Sequence, residues 1–169
     1  MTTLEKLASE IDICDIHAQR LSDALEYVEK LFPLTPQKFE DLQVNDFAFL
    51  DLMSNRFSKL QDTIGRKLFP LILMALNDHE ETDSFIDRLH KLEKLNILKD
   101  PSFWDRMRKV RNEIAHDYPE NSNKKVLKIK HCFDASLELL SLWKDLKKII
   151  AQRTERVTSL YGARFDPTL

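Results

Sequence analysis

Residues 111–120, RNEIAHDYPE, hold the side chains of this chain that are best suited to phosphate chemistry. Arg111 can bind a phosphate through two parallel hydrogen bonds. His116 titrates near neutral pH, so it can accept or donate a proton during a reaction. Tyr118 adds a phenol two residues later. The segment is therefore either a site for phosphate chemistry or three solvated side chains at the end of a polar helix.

Helical spacing indicates that these groups can meet. Arg111 shares a helix face with Ala115, and His116 is rotated by about 100° from Ala115. An arginine side chain is long enough to reach across that gap, so both heads can meet near the helix end. Asn112, Glu113 and Asp117 add polar groups around them.

The residues that precede the motif are also basic. Arg106, Arg108, Lys109 and Arg111 place four cations within six residues. Such a strip can position a phosphate backbone, but a solvated helix face often has the same composition. We assign Arg108 and Lys109 to substrate binding as supporting residues, and the surface interpretation stays open.

Composition predicts the scaffold that carries these residues. The chain has 169 residues, which is enough for one domain with its own core. It has only two glycines, 43% hydrophobic residues and 32% charged residues, a balance that favours helices over a turn-rich β fold. We predict an all-α, up-and-down antiparallel bundle with four to five main helices, in a single domain covering residues 1–169.

Apolar residues recur at helical spacing along most of the chain. The first helix, about 27 residues long, has a seam with alternating steps of three and four: Leu4, Leu7, Ile11, Cys14, Ala18, Leu21, Leu25 and Val28. This seam fits a coiled coil or an antiparallel bundle, and the helices that follow favour the bundle. A similar stripe runs from Val126 to Ile150. The residues after about 153 lose this periodicity and are expected to fray.

Capping residues predict where the other helices begin. Four starts are expected, at Thr35 with Pro36, at Asn45 or Asp46, at Asp83 or Ser84, and at Asp100 with Pro101. Pro70 should kink or break the second long helix, after which residues 71–76 continue as buried helix. Because Tyr118 precedes Pro119, it should leave helical geometry. Residues 121–123, NSN, should form the turn into the last helix.

The remaining histidines and aromatic residues are predicted to be structural. His17, His90 and His131 are isolated in the sequence. Several aromatic residues lie on helical stripes and are expected to fill the core: Phe57, Phe103, Trp104, Phe133 and Trp143.

The R-x4-H-x-Y pattern near the end of a helix, inside an all-helical chain of this length, resembles the HEPN domains. In particular it is similar to the HEPN ribonuclease toxins that are paired with minimal nucleotidyltransferase antitoxins. Arg111, Asn112 and His116 match the family's arginine, polar residue and later histidine, and Tyr118 matches the tyrosine of the toxin subgroup. The likeness in helix order covers about residues 4–150.

This resemblance implies a metal-independent endoribonuclease toxin that uses no cofactor. Arg111 would stabilise the phosphate and His116 would transfer protons, with Asn112, Asp117 and Tyr118 at the cleft. Because one chain supplies one such histidine, the resemblance implies a homodimer that pairs two motifs across one cleft. The implied protein partner is a nucleotidyltransferase antitoxin that attaches AMP to Tyr118 and so blocks RNA binding.

Two other functions stay open. The resemblance to HEPN domains also fits a non-catalytic nucleotide-binding or docking partner of a nucleotidyltransferase. Alternatively, the seam of the first helix could mediate assembly of a plain helical oligomerisation protein.

Other classes of function have little support in the sequence. The net charge of −2 gives no overall bias toward nucleic acid, so an RNA contact needs a local patch. Cys14 and Cys132 are the only cysteines, which is too few for a disulfide framework, and no C-x-x-C pattern indicates a zinc or redox site. The acidic residues adjacent to His79 rarely converge on one ion, so we predict no metal site. The longest apolar run, residues 68–76, is about half a membrane span, and we predict a cytoplasmic protein.

Overall fold

The structure is a computed structural model that describes residues 1–115 and 121–154, and these form eight helical segments. The α-helices are α1 (Thr3–Glu29), α2 (Pro36–Glu40), α3 (Val44–Thr63), α4 (Phe69–Ala75), α5 (Phe85–Lys94), α6 (Pro101–Ala115) and α7 (Ser122–Arg153). A π-helical turn, Ile64–Leu68, joins α3 to α4. No strand occurs in the described ranges, and the predicted all-α bundle is confirmed.

The first helix has the predicted length of 27 residues and begins at a capping box. The Thr2 hydroxyl accepts a hydrogen bond from the Glu5 amide at 3.2 Å, and the Glu5 carboxylate accepts one from the Thr2 amide at 2.6 Å. Most of the seam is buried within this chain, where α1 packs against α3, α4 and α7. The seam therefore builds the bundle of its own chain.

The second long helix begins slightly before the predicted start. Its cap is Gln43, and Asp46 lies inside the first turn, where its carboxylate accepts a 2.7 Å hydrogen bond from the Gln43 amide. Carboxylates are stabilised anywhere in the first turn of a helix, so the sequence pattern alone does not place the cap to the residue. The short helix before it is capped by Thr35 with Pro36, as predicted.

The helix does not end at Pro70. The irregularity lies one turn earlier, in the π-helical turn, where the Phe69 amide donates a hydrogen bond to the Ile64 carbonyl. Proline has no amide hydrogen, and its ring would clash with the carbonyl four residues before it in a regular helix. The wider turn changes the position of that carbonyl, so helical structure continues through Pro70 as α4.

The starts of the later helices largely follow prediction. Ser84 caps α5, and its hydroxyl accepts a hydrogen bond from the Asp87 amide at 3.2 Å. The predicted turn at residues 121–123 is wrong for its last two residues, because Asn121 is the cap and α7 begins at Ser122. Apart from Thr154, the tail that we expected to fray lies outside the described residues.

The core is apolar and contains three of the five predicted aromatic residues. Phe57, Trp104 and Trp143 are buried, whereas Phe103 and Phe133 are only partly buried and pack against the core from its edge. In residues 1–115 and 121–154, no helix is both long enough and apolar enough to cross a bilayer.

Candidate active site

α6 carries the predicted site residues that precede position 116. Arg108, Arg111 and Asn112 are spaced three and four residues apart, so they lie on one face of the helix. All three line the same cavity. Lys109 is rotated away from this face and is exposed, and the structure does not bring it to the cavity.

The rest of the predicted site, His116, Asp117 and Tyr118, lies outside the described residues. Their roles stay predictions, as does the exit of Tyr118 from helical geometry. α6 is described to Ala115, so the last described helical residue directly precedes His116 in the chain.

Arg111 forms an ion pair with an aspartate that we did not predict. Its Nη2 donates a 3.0 Å hydrogen bond to Asp62 Oδ2, and both side chains are about one-third exposed, at 31% and 32%. The Arg111 Nε is buried and has no hydrogen-bond partner among the described residues. Asp62 also lies 3.8 Å from the Nε of Arg66. The guanidinium of Arg111 is thus held at one end, and its other donors, the buried Nε included, form no further hydrogen bond among the described residues.

Three arginines and one aspartate surround a cavity of about 250 Å³ between α3, the π-helical turn, α5 and α6. We call this cavity the arginine cleft. Its lining residues are Gln61, Asp62, Gly65, Arg66, Phe85, Trp104, Arg108, Arg111 and Asn112. Three guanidinium groups and one carboxylate give this lining a formal charge of three minus one, or +2. The cleft therefore attracts anions although the whole chain carries a net charge of −2.

A buried tryptophan forms an apolar wall of the arginine cleft. Trp104 is fully buried, and its indole Nε1 has no hydrogen-bond partner in the described part of the chain. The ring packs against Gly65 in the π-helical turn, where an added Cβ atom would lie 2.7 Å from Trp104 Cζ2. Only glycine lets the ring approach the turn this closely. This contact fixes the distance between the π-helical turn and α6.

Aromatic and charged contacts also orient the other arginines of α6. The Arg108 guanidinium lies 5.1 Å from the ring centroid of Phe85, a cation–π distance that holds the side chain over α5. Arg106, by contrast, points to other partners, with its guanidinium nitrogens 3.6 Å from Asp100 and 3.8 Å from Glu138. The basic strip of the sequence therefore divides, because Arg108 and Arg111 face the cleft and Arg106 does not.

The C-terminal half of α6 is also tied to α7. The Glu113 carboxylate lies 3.3 Å from His131 Nδ1, and both side chains are partly exposed. This contact agrees with the structural role that we predicted for His131. It also gives the segment before His116 a second attachment point.

The arrangement is suited to holding a phosphate. Guanidinium groups form charge-assisted hydrogen bonds with phosphate oxygens, and two or three of them can share the charge of one group. Within residues 1–115 and 121–154, no three His, Cys, Asp or Glu side chains are grouped to hold a metal ion. The described side chains of the cleft have the chemistry for anion binding and charge stabilisation, and they include no histidine.

A larger groove, of about 650 Å³, lies elsewhere between α1 and α7. Apolar residues such as Ile16 and Leu137 line it, and at one side Asp15 accepts hydrogen bonds from Trp143 Nε1 and Lys147 Nζ, both at 2.8 Å. The Asp15 charge is already matched by Lys147. We place the candidate site in the smaller arginine cleft because its chemistry, rather than its volume, fits a reaction.

Sequence reasoning missed six of the nine residues that line the cleft: Gln61, Asp62, Gly65, Arg66, Phe85 and Trp104, the last of which we predicted only as a core residue. Asp62 and Arg111 are 49 positions apart, and only the packing of α3 on α6 brings them together. Gly65, one of two glycines in the chain, is a signal that could have indicated a close approach at this point.

Family models, curated proteins and solved structures were all compared with the chain, and none of them matches it.

Proposed function

We propose that this protein is a metal-independent endoribonuclease of the HEPN toxin type. Arg111 binds the scissile phosphate and His116 transfers protons. The observation that supports this most is the half-buried Arg111, set among two further arginines, five residues before His116. A solvated surface arginine would not need a cavity, an orienting carboxylate and a buried aromatic wall.

The proposed reaction is transfer of the phosphate from the 5′ oxygen of the next nucleotide to the ribose 2′ oxygen. The 2′-OH loses its proton as the oxygen attacks phosphorus, and the bond to the 5′ oxygen breaks as that oxygen gains a proton. The products are a 2′,3′-cyclic phosphate and a 5′-hydroxyl. Arg111 stabilises the charge that develops on the phosphate, and an imidazole is suited to either proton transfer near neutral pH.

Asp62 has a positioning role in this proposal. An arginine has five N–H donors in a fixed fork, and the bond to Asp62 uses one of them. The carboxylate thereby fixes the direction of the Arg111 fork, while Arg66 and Arg108 keep the cleft positive. Asn112, which also lines the cleft, offers an amide to the substrate.

One chain supplies one motif histidine, whereas the reaction needs an acid and a base. We therefore propose a homodimer that brings two copies of His116 and Arg111 to one cleft. We further propose a cytoplasmic location and a nucleotidyltransferase antitoxin as partner, which attaches AMP to Tyr118. A phosphate added there would enter the field of Arg111 and compete with RNA.

The direct test is cleavage of RNA by the purified protein in the presence of EDTA. We expect cleavage that EDTA hardly changes and that His116→Ala reduces by at least about 100-fold, the usual range for loss of acid–base catalysis. Melting temperature should change little. His90→Ala is the matched control, because it removes an exposed histidine that does not line the cleft, and it should keep its activity.

Three results would contradict the proposal: full activity of His116→Ala, equal loss in His90→Ala, or a strict metal requirement. Binding of RNA or nucleotide without cleavage would favour the non-catalytic docking function instead. A helical oligomerisation protein built on the seam of α1 has less support, because that seam is buried within its own chain.

A further inference from the structure

A second group of cations lies between α1 and α3, away from α6 and the arginine cleft. His17 and Arg20 are three residues apart on α1, and Arg56 and Lys59 have the same spacing on α3, so each pair shares a helix face. The Arg56 Nη1 lies 3.1 Å from His17 Nδ1. We call these four residues the His17 cluster.

Arg56 lacks the carboxylate that usually accompanies a half-buried guanidinium. Its one hydrogen-bond partner among the described residues is the imidazole of His17, and its Nε is buried without a partner. Because arginine can only donate, His17 Nδ1 accepts this bond, and the proton of the neutral ring is on Nε2. The contact orders Arg56 without neutralising it.

The cations around this pair are also unmatched. Within the described residues, Arg20 and Lys59 form no ion pair with an acidic side chain. The pKa of His17 is lowered from its ordinary value, first by desolvation of the ring and then by repulsion from nearby cations, namely Arg56, Lys59, Arg20 and Lys67. Lys67 is already paired with Glu10 at 3.3 Å. The other cations repel one another, and an anion would relieve that repulsion.

We propose that the His17 cluster is a phosphate-binding site. A phosphate dianion accepts several hydrogen bonds, and the cluster offers the Arg56 guanidinium, the His17 Nε2–H, and the heads of Arg20 and Lys59. The ligand chemistry is the same for free phosphate and for the phosphate of a nucleic-acid backbone. The proposal stands apart from RNA cleavage, since none of the four residues lines the arginine cleft.

The experiment is a titration of the full chain with sodium phosphate at constant ionic strength, followed by NMR of the backbone amides and the His17 ring. Constant ionic strength separates a bound anion from general screening. We expect saturable shifts centred on His17 and Arg56. Arg56→Gln should weaken binding at least about tenfold, as expected for losing a charged hydrogen-bond donor.

Lys59→Gln provides the second variant, because Lys59 is exposed and substitutions of exposed residues usually change stability little. It should weaken phosphate binding by a few-fold, in line with loss of one charge near the ligand. Lys148→Gln makes the same change at an exposed position of α7 outside the cluster, and it should leave the phosphate affinity unchanged. Melting curves check that Arg56→Gln remains folded.

A second titration distinguishes the two sources of phosphate. It uses a 2′-O-methyl oligoribonucleotide, which cannot be cleaved through a 2′-OH, and an Arg111→Ala background that weakens the arginine cleft. Shifts at His17 with inorganic phosphate would support a site for the free anion. Shifts at His17 with the oligonucleotide alone would support a site for backbone phosphate. No localised shift with either probe, or shifts that persist in both Arg56→Gln and Lys59→Gln, would overturn the proposal while leaving the cleavage test unaffected.

Discussion

At Arg111, the ion pair with Asp62 both directs the guanidinium and reduces the positive charge available to RNA. Asp62→Asn keeps the side-chain shape and removes the charge. RNA binding should then tighten, because one repulsive carboxylate is lost from the cleft. The turnover number should fall by about tenfold, because the direction of Arg111 is less fixed. Steady-state kinetics on one RNA substrate should therefore show KM and kcat falling together.

Asp51→Asn is the matched control for that variant. Asp51 is an exposed aspartate of the same helix and does not line the cleft. It should leave kcat and KM unchanged. If Asp62→Asn weakened RNA binding and left kcat unchanged, Asp62 would have to contact the RNA directly instead of positioning Arg111.

At the scale of helices, the contact between Gly65 and Trp104 fixes how the π-helical turn meets α6. Gly65→Ala would place a methyl group 2.7 Å from Trp104 Cζ2, and that ring is fully buried and cannot move aside easily. We expect a loss of about 1–3 kcal/mol in the free energy of unfolding, the usual cost of overpacking. Urea denaturation followed by circular dichroism measures it.

An alanine at an exposed position of α3 controls for helix propensity. Asn55→Ala, ten residues before Gly65, should be neutral or slightly stabilising, because alanine is the better helix former. If Gly65→Ala were as stable as Asn55→Ala, the Trp104 ring would have to be displaced in solution, and the arginine cleft would lose its apolar wall.

The helices were largely predictable because their signals are local. The seam of α1, the cap Thr35 and a cap at Asp83 or Ser84 depend on residues within one or two turns, and all three predictions are confirmed, with Ser84 as the cap of α5. The π-helical turn was not predictable in this way. A single proline signals a disturbance, but where the chain absorbs it depends on packing, here around Gly65 and Trp104.

The candidate site was only half predictable for a related reason. Arg108, Arg111 and Asn112 share a helix face, and sequence spacing is enough to group them. Their partners Asp62 and Phe85 lie on other helices, and nothing in their local sequence indicates which face of α6 they meet. Charge alone also failed to separate Arg108 from Lys109, because only the orientation of α6 decides which of them faces the cavity.

At the scale of the whole molecule, the central prediction is assembly into a homodimer. Analytical ultracentrifugation should give about 40 kDa, twice the chain mass of 19.9 kDa. We expect the two chains to be related by the twofold symmetry that is usual for homodimers. Mixing wild-type and His116→Ala subunits tests for a shared site, because each mixed dimer would lack one of the two histidines and the activity should fall more steeply than the fraction of wild-type chains. A fully active monomer would rule out the shared site.

The partner enzyme gives a further prediction. If Tyr118 accepts AMP, co-expression with a cognate nucleotidyltransferase should increase the chain mass in AMP-sized steps, and RNA binding should weaken as the mass rises. Tyr118→Phe keeps the ring and removes the acceptor oxygen, so it should escape modification. Tyr27→Phe is the control and should be modified normally. If the nucleotidyltransferase neutralised the unmodified Tyr118→Phe variant as well as it neutralises the wild-type chain, it would act by covering the cleft and not by attaching AMP.

The π-helical turn also sets the rotational phase between the two halves of one long helix. A residue added to or removed from a helix rotates everything after it by about 100°. Deleting one residue within 64–68 would therefore swing Ile72 and Leu73, both buried, away from the core. Length changes at this point should be tolerated far less well than in the polar loop at residues 77–83. The length of the π-helical turn therefore determines both which residues of α4 face the core and which residues of the turn face the arginine cleft.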